Sequence, residues 1–441
     1  MTLKQIRLKN FRCFKDTDTV ELKPITILVG ANSSGKSSLL KFFPLLKQSC
    51  DKKFNGIFNW RNTDVDFKDF QNTITDNDTS KNIEVSLSFV DQIRKDTLDL
   101  DFSVGYNKTE NIKELDIIKT RPRGTKYVLT TNHTKFVGVE NCNLTTIDDY
   151  ENADFEIGEK SDTDFIPELR LKGRNLRKLW KENDKQKTSD ALDNMMDLYK
   201  DVNSELSYLA KSIVYIKPLR LVDKREYVVN DSAFAAEILP DGSNLPYYLD
   251  NIQKDDKKFK DLNDWLKSYF NFEIRLVKNG MIEINIIDKN GKEHNLVDLG
   301  FGYSQILSVV ITIWHSYNSD PDSSFSDTRV QNKIIAIEQP EVHLHSKLQS
   351  KFAAMICNTV NSCKKDNIPP INFIIETHSG AILNKIGDMV MNNVVTDEDI
   401  SLLIFNRNET NGITEIKTTK YNEEGYVEEW PIDFFDEDEE G

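Results

Sequence analysis

Apolar and polar positions alternate along this chain in two distinguishable ways. Short, predominantly apolar runs occur at residues 25–29, 213–216, 334–337, 373–375 and 400–405, the pattern of strands covered on both faces. Period-two alternation occurs at 6–8 and 85–89, and β-like runs at 127–129 and 136–139 are broken by Asn, Asp and Gly. These features predict antiparallel hairpins over about 91–160. A helix-compatible stretch follows the first apolar run at 37–46, a polar helical stretch is expected over 162–211, and a buried helix at 306–314. From about residue 260, strands and helices alternate as in an α/β layer. The expected organisation is three segments: 1–90, a β and helical insertion at 91–211, and 212–441.

Composition narrows the class. With 441 residues and 38% hydrophobic content, the chain can bury a large core. The start alternates polar and apolar residues, and no segment approaches the roughly 20 apolar residues that span a bilayer, so no membrane role is expected. The five cysteines, Cys13, Cys50, Cys142, Cys357 and Cys363, are odd in number and scattered, which fits reduced thiols in a cytoplasm. A net charge of −15 argues against general coating of nucleic acid, because phosphate contacts need a basic face. One local exception is the run Arg170, Lys172, Arg174, Arg177, Lys178, Lys181, Lys185 and Lys187. It reads either as a solvated helix face or as a DNA contact.

Chemistry concentrates in four strings. Gly30-Ala31-Asn32-Ser33-Ser34-Gly35-Lys36-Ser37-Ser38 lies between an apolar strand and a helix, the context of a phosphate-binding loop. Its backbone N–H groups can crowd around phosphates, Lys36 can neutralise the terminal ones, and the Ser37 hydroxyl can ligate Mg²⁺. About three hundred residues later, an apolar strand ends in Glu338-Gln339-Pro340-Glu341, carboxylates suited to hold a divalent cation. Another ends in Glu376-Thr377-His378-Ser379, placing His378 at a strand exit. Before both, Leu299-Gly300-Phe301-Gly302-Tyr303-Ser304-Gln305 opens a helix whose N-terminus can face an anion.

In this order the strings resemble the head of the ABC ATPase superfamily, in the branch that includes SMC, RecF and OLD-type ATPases. The resemblance spans roughly 1–90 and 210–420. It implies an α/β P-loop head with a mixed sheet, an antiparallel β lobe and a helical insertion, binding ATP and Mg²⁺. It assigns Asn32 through Ser38 to the phosphates and places Arg12, in Leu8-Lys9-Asn10-Phe11-Arg12, near the nucleotide. Gly302 and Ser304 take the place of the signature motif, with Ser304 reaching the γ-phosphate on a second protomer. Glu338 and Ser37 become metal ligands, and His378 a switch residue. Gln71 is the candidate for the glutamine that joins the metal. The string Pro340-Glu341-Val342-His343-Leu344-His345 resembles the loop that follows the acidic strand in that superfamily.

Pro218-Leu219-Arg220 with Tyr227, Glu338-Gln339-Pro340-Glu341, and Trp430-Pro431-Ile432-Asp433-Phe434-Phe435-Asp436 further resemble ATPase subunits of bacterial phage-defence systems, the Septu type nearest. That implies a separate partner nuclease of HNH type and a homodimer or higher oligomer bridged by ATP. One departure matters for chemistry: the family pattern ends its acidic strand in an Asp-Glu pair, and here Gln339 holds the second position. Gln339 cannot accept a proton from water at neutral pH, so slow hydrolysis is expected unless Glu341 substitutes. Two other functions remain open: a RecF-like ATPase acting on DNA directly, and an OLD-type nuclease. The nuclease would need a metal site that the acidic triplet Asp397-Glu398-Asp399, placed before a strand instead of at its end, does not supply.

Overall fold

The computed structural model describes residues 1–50, 57–91, 93–107, 109–121, 126–132, 135–141, 155–157, 169–171, 185–220, 222–229, 237–318, 332–366 and 368–429. Its centre is a six-stranded sheet in the order Ile213–Ile216, Lys333–Glu338, Ile371–Glu376, Ile25–Gly30, Ile400–Arg407, Thr414–Thr419. All neighbours are parallel except the last hairpin. The N-terminal strand Ile25–Gly30 thus sits between two strands supplied by the last quarter of the chain. The expected α/β head with a mixed sheet and an antiparallel lobe is the architecture found.

The apolar runs are explained by cover on both faces. Along the central strands, Leu28, Ile334, Ala336, Ile374, Leu403 and Phe405 face one core. Their alternate neighbours Ile27, Val29, Ile335, Ile337, Phe373, Ile375, Leu402 and Ile404 face a second. Side chains of a strand alternate between faces, so a strand buried on both is apolar at most positions, with small polar residues such as Thr26 and Ser401 buried among them. The first core is closed by the eight-stranded antiparallel sheet, which runs from Phe14–Asp16 through Thr2–Phe11, Ile83–Val90, Thr97–Asn107 and Thr109–Thr120 to Lys135–Asn141. Strand Ile83–Val90 pairs along its full length with the Thr97–Val104 part of Thr97–Asn107, so the sheet continues without interruption through residue 90. The second core is closed by helices Leu245–Ile252, Asp256–Phe270, Phe301–Asn318, Ser346–Lys365 and Gly380–Met391.

Local differences from the pattern-based reading have simple causes. The helix expected at 37–46 is two, Lys36–Leu40 and Phe42–Ser49, meeting at Lys41. The helix expected from 162 is instead strand Leu169–Leu171, paired antiparallel with Phe155–Ile157, and helix Lys185–Ser212. Polar composition alone does not separate a short hairpin from a helix. Arg170 therefore lies on a strand and Lys185 and Lys187 on the helix, whereas Lys172, Arg174, Arg177, Lys178 and Lys181 lie outside the described residues, as do Cys142 and Trp430 through Asp436. None of the described helices is long and apolar enough to cross a membrane.

Candidate nucleotide site

At the carboxyl edge of the central sheet the chain leaves Ile25–Gly30, turns sharply, and enters helix Lys36–Leu40. Gly35 makes that turn at φ 105°, and a Cβ there would sit 2.6 Å from the Cys13 sulfur, so no other residue fits without displacement. The loop frames a cavity of about 790 Å³ lined by Asn32, Ser33, Ser34, Gly35, Lys36, Ser37 and Ser38 together with Arg12, Gln339, Glu376, His378 and the turn Asn411-Gly412-Ile413. Residues separated by more than three hundred positions meet here because their strands adjoin in the sheet.

Lys36 is 3% exposed and its ammonium donates to the carbonyls of Gly30 (2.9 Å) and Ala31 (2.7 Å). Burial pushes its pKa below the ordinary value, with the negative charges of Glu376 and Glu341 opposing that shift. Ser37 donates its hydroxyl proton to Glu376 Oε1 at 2.8 Å, while Glu376 Oε2 has no hydrogen-bond partner. Burial raises the Glu376 pKa, Ser37 lowers it, and neighbouring Glu338 raises it again. The donors gathered here, a hydroxyl and a carboxylate with a buried orphan oxygen, are the all-oxygen kind that Mg²⁺ takes alongside nucleotide phosphates. The residues present therefore fit that ion.

Glu338 is engaged differently. Its Oε1 accepts from the Tyr215 hydroxyl at 2.5 Å, and its Oε2 lies 3.4 Å from the Lys41 ammonium. Tyr215 is held far above its ordinary pKa by burial and by the Glu338 charge, so it stays a donor. This group, with Arg12, Ser37, Asp64 and Lys217, lines a second cavity of about 340 Å³ beside the first. Gln339, at φ 42°, anchors its N–H on the Glu376 carbonyl (2.9 Å) and faces the main cavity. Glu341 does not face it: its two oxygens accept from Thr377 Oγ1 (2.9 Å) and the His378 backbone N–H (2.7 Å), and it fixes the Thr377-His378 segment instead. His378 Nε2 has no hydrogen-bond partner, and burial, then Lys36, hold the ring below its ordinary pKa as a neutral imidazole.

Gln71 and the two residues expected to serve a second protomer, Gly302 and Ser304, do not line this cavity. Gln71 is exposed on the short helix Phe70–Thr73 and does not line the cavity, although Asn72 beside it does. Gly302 and Ser304 lie in the first turn of helix Phe301–Asn318, away from the loop of the same chain. Ser304 is 2% exposed, so its hydroxyl is turned into its own protomer, and the turn presents Phe301 instead, 47% exposed with its ring against His343. Gly302 packs so closely on the 340–345 loop that a Cβ would come within 2.7 Å of the His343 carbonyl.

Arg12, expected near the nucleotide, lines the cavity, and Arg407 and Thr414 are contributors that were not anticipated. Arg12 stacks over the Phe67 ring at 5.3 Å and donates to the Asn72 carbonyl at 3.0 Å, which fixes it at the cavity wall. Arg407 and Thr414, on the closing hairpin, donate to the Ser33 (3.0 Å) and Ser34 (2.7 Å) carbonyls and brace the loop. Nothing in the spacing of Arg407 or Thr414 reveals this. Glu376 did carry a signal: like Glu338 it is a carboxylate ending an otherwise apolar strand.

No curated protein matches the sequence. Solved structures similar to the chain include the SMC head domain from Thermotoga maritima, at 13% identity and a TM-score of 0.40, covering 95% of this chain and 99% of that one. A second is the Smc head domain with an extended coiled coil from Pyrococcus furiosus, bound to the C-terminal domain of ScpA, at 11% identity and a TM-score of 0.38, covering 95% and 96%. The family model described as AAA ATPase domain (AAA_15) matches residues 1–383. With the phosphate-binding loop, the acidic strand and the intervening histidine strand all inside that span, the chain belongs to this family of AAA ATPase domains.

Proposed function

We propose that this chain is a Mg²⁺-ATP-binding subunit of the ABC type, slow to hydrolyse, whose nucleotide state governs a partner nuclease in defence against phage. The observation that carries the nucleotide part is the cavity that joins Lys36 and Ser37 to Gln339, Glu376 and His378. Asn32 through Ser38 hold the phosphates, and Arg12 flanks them. Ser37 with the carboxylates Glu338 and Glu376 holds the cation, which supplies charge neutralisation of the phosphates when bound. His378, neutral and with a free Nε2, is placed to report on the terminal phosphate.

Slow turnover follows from the proton inventory. Gln339 faces the cavity in the position of the expected base and can orient a water molecule without taking its proton. Glu341, the alternative base, has both oxygens committed to Thr377 and His378. Two protomers bridged by nucleotide supply the shape change, and work requires a partner that binds the two states with different affinity. The strings Pro218-Leu219-Arg220 and Glu338-Gln339-Pro340-Glu341 support an HNH-type nuclease as that partner.

The test is to purify the chain from its own operon with and without Mg²⁺-ATP, weigh what stays bound, and measure turnover. The reading expects a stoichiometric nuclease, ATP binding lost in Lys36→Ala, and hydrolysis well below ~1 per second. Gln339→Glu should raise the hydrolysis rate by up to about 100-fold, the low end for general-base catalysis because neighbouring carboxylates disfavour another negative charge. Wild-type turnover at ordinary enzyme rates would refute the slow-hydrolysis part. A lone dimer with DNA-stimulated turnover would favour direct action on DNA.

A further inference from the structure

Lys41 stands where the two helices that follow the phosphate-binding loop meet, ending Lys36–Leu40 and opening Phe42–Ser49. Its backbone N–H closes the first helix on the Ser37 carbonyl at 2.9 Å, and its carbonyl accepts from the Leu45 N–H of the second at 3.1 Å. Helical side chains four residues apart share a face. The Lys41 ammonium and the Ser37 hydroxyl accordingly line the same side cavity, together with Glu338 and Tyr215.

The Glu338 carboxylate is gripped from two directions of unequal firmness. Its Oε1 accepts from the Tyr215 hydroxyl at 2.5 Å, and Tyr215 is 4% exposed on a strand paired with Lys333–Glu338. Its Oε2 lies 3.4 Å from the Lys41 ammonium, whose side chain is 34% exposed. That is a Coulombic contact, longer than the roughly 2.7–2.9 Å of a charge-assisted hydrogen bond. The Lys41 charge also reaches Glu376, opposite Glu338 on the next strand. Lys41 thus lends positive charge to two buried carboxylates from a flexible stem with a partly solvated head. Without such charge their burial would be costly.

A divalent cation held by Ser37 and Glu338 sets a second positive charge against the same carboxylate, and like charges at that range repel. We infer that Lys41 is a built-in counter-cation, which neutralises Glu338 in the nucleotide-free protein and withdraws to solvent when metal and nucleotide bind, and that Tyr215 is the positioning residue that keeps the carboxylate aimed through this exchange. The inference rests on the nucleotide reading above and adds to it a cost of metal binding that the chain itself sets. The direction of the exchange follows from the surroundings: Tyr215 is buried and stays, whereas Lys41 is charged, partly exposed and can leave without disturbing the core.

The experiment measures the affinity of a fluorescent, non-hydrolysable ATP analogue for the full chain, with Mn²⁺ and with chelator, in wild type, Lys41→Met, Lys41→Arg and Tyr215→Phe. The readout is the ratio of the two affinities, and wild type should bind more tightly with Mn²⁺. Lys41→Met should raise the ratio about two- to fivefold, the span of a partly exposed ion pair that no longer has to be broken. Lys41→Arg, which keeps the charge, should return it to near the wild-type value. Tyr215→Phe removes only the hydroxyl and should lower the ratio about 10-fold, as loss of a group orienting a metal ligand does, with chelator-state affinity within about threefold of wild type showing that the site is folded. A lowered ratio in Lys41→Met overturns the exchange. An unchanged ratio with both affinities reduced together makes Lys41 a phosphate contact and overturns it equally. An unchanged ratio in Tyr215→Phe overturns the positioning role. Equal wild-type affinity with and without Mn²⁺ overturns the inference while leaving the nucleotide site standing, and failure of wild type to bind the analogue at all overturns both.

Discussion

Replacing Arg220 by methionine should test how the site is held together. Arg220 is 1% exposed, beneath the loop that follows the acidic strand. Its Nη2 donates to the Glu338 carbonyl at 3.0 Å, and its backbone N–H and carbonyl are bracketed by the Gln305 side chain at 3.1 and 2.8 Å. Burial pushes its pKa down to about 10, opposed by the charges of Glu341 and then Glu338, so it remains a cation at neutral pH. Removing one member of a buried charge set leaves the other uncompensated, at a cost of about 3–5 kcal/mol. Against that, Nε and Nη1 have no hydrogen-bond partner, and losing their desolvation returns about 1 kcal/mol. Methionine retains most of the stem volume, so the net loss should be roughly 2–4 kcal/mol. Urea unfolding followed by circular dichroism gives this number, provided the slope is unchanged between variants. Glu341→Gln combined with Arg220→Met should show a coupling of about 1 kcal/mol or more, since each removes one of two buried opposite charges that attract each other. A loss under about 0.5 kcal/mol, or strict additivity in the double variant, would refute the argument that Arg220 balances the carboxylates of the site.

Two further outcomes are expected. In Gly387→Ala, the new Cβ collides with the carbonyl oxygen of Gly425, which itself turns at φ 80° to allow the contact. Alanine would ordinarily favour helix Gly380–Met391 by about 1 kcal/mol, so a thermal midpoint that falls, and not one that rises, confirms the backbone contact. For His315, whose Nδ1 meets the Tyr248 hydroxyl at 2.7 Å, burial first and the Lys333 charge next hold the pKa below 6.5. The unfolded chain then binds the proton more readily, so stability is full above pH 6.5 and falls as the pH drops through 6.5 towards the folded value. His315→Gln should flatten that acid-side slope in urea titrations. An unchanged slope would mean that other groups carry it.

Much of the molecule was legible in the residues because each feature had a local cause. Strands buried on both faces must be predominantly apolar, so 25–29, 334–337, 373–375 and 400–405 announced the central sheet. The loop Gly30 through Ser37 needed glycine at the φ 105° turn and a lysine and serine at its end, and no longer-range information. That Gln339 cannot take a proton at neutral pH was visible for the same reason: the chemistry of one side chain is a property of the residue.

What escaped the sequence depended on order and direction in space. Insertion of strand Ile371–Glu376 between the P-loop strand and Lys333–Glu338 brings Glu376 against Ser37. No spacing encodes that order. Whether Ser304 faces outward or Gln71 inward depends on the rotation of a helix against its neighbours, and both are decided by packing: Ser304 is turned into the core and Gln71 into solvent. Arg407 and Thr414 brace the phosphate loop across some 380 residues only because the closing hairpin is the loop's neighbour in the sheet. The sequence by itself determined which elements form and which chemical groups the chain carries, since burial period and side-chain chemistry are local. Tertiary structure alone decided which of those groups meet, because strand order and helix rotation are set by the joint packing of distant segments.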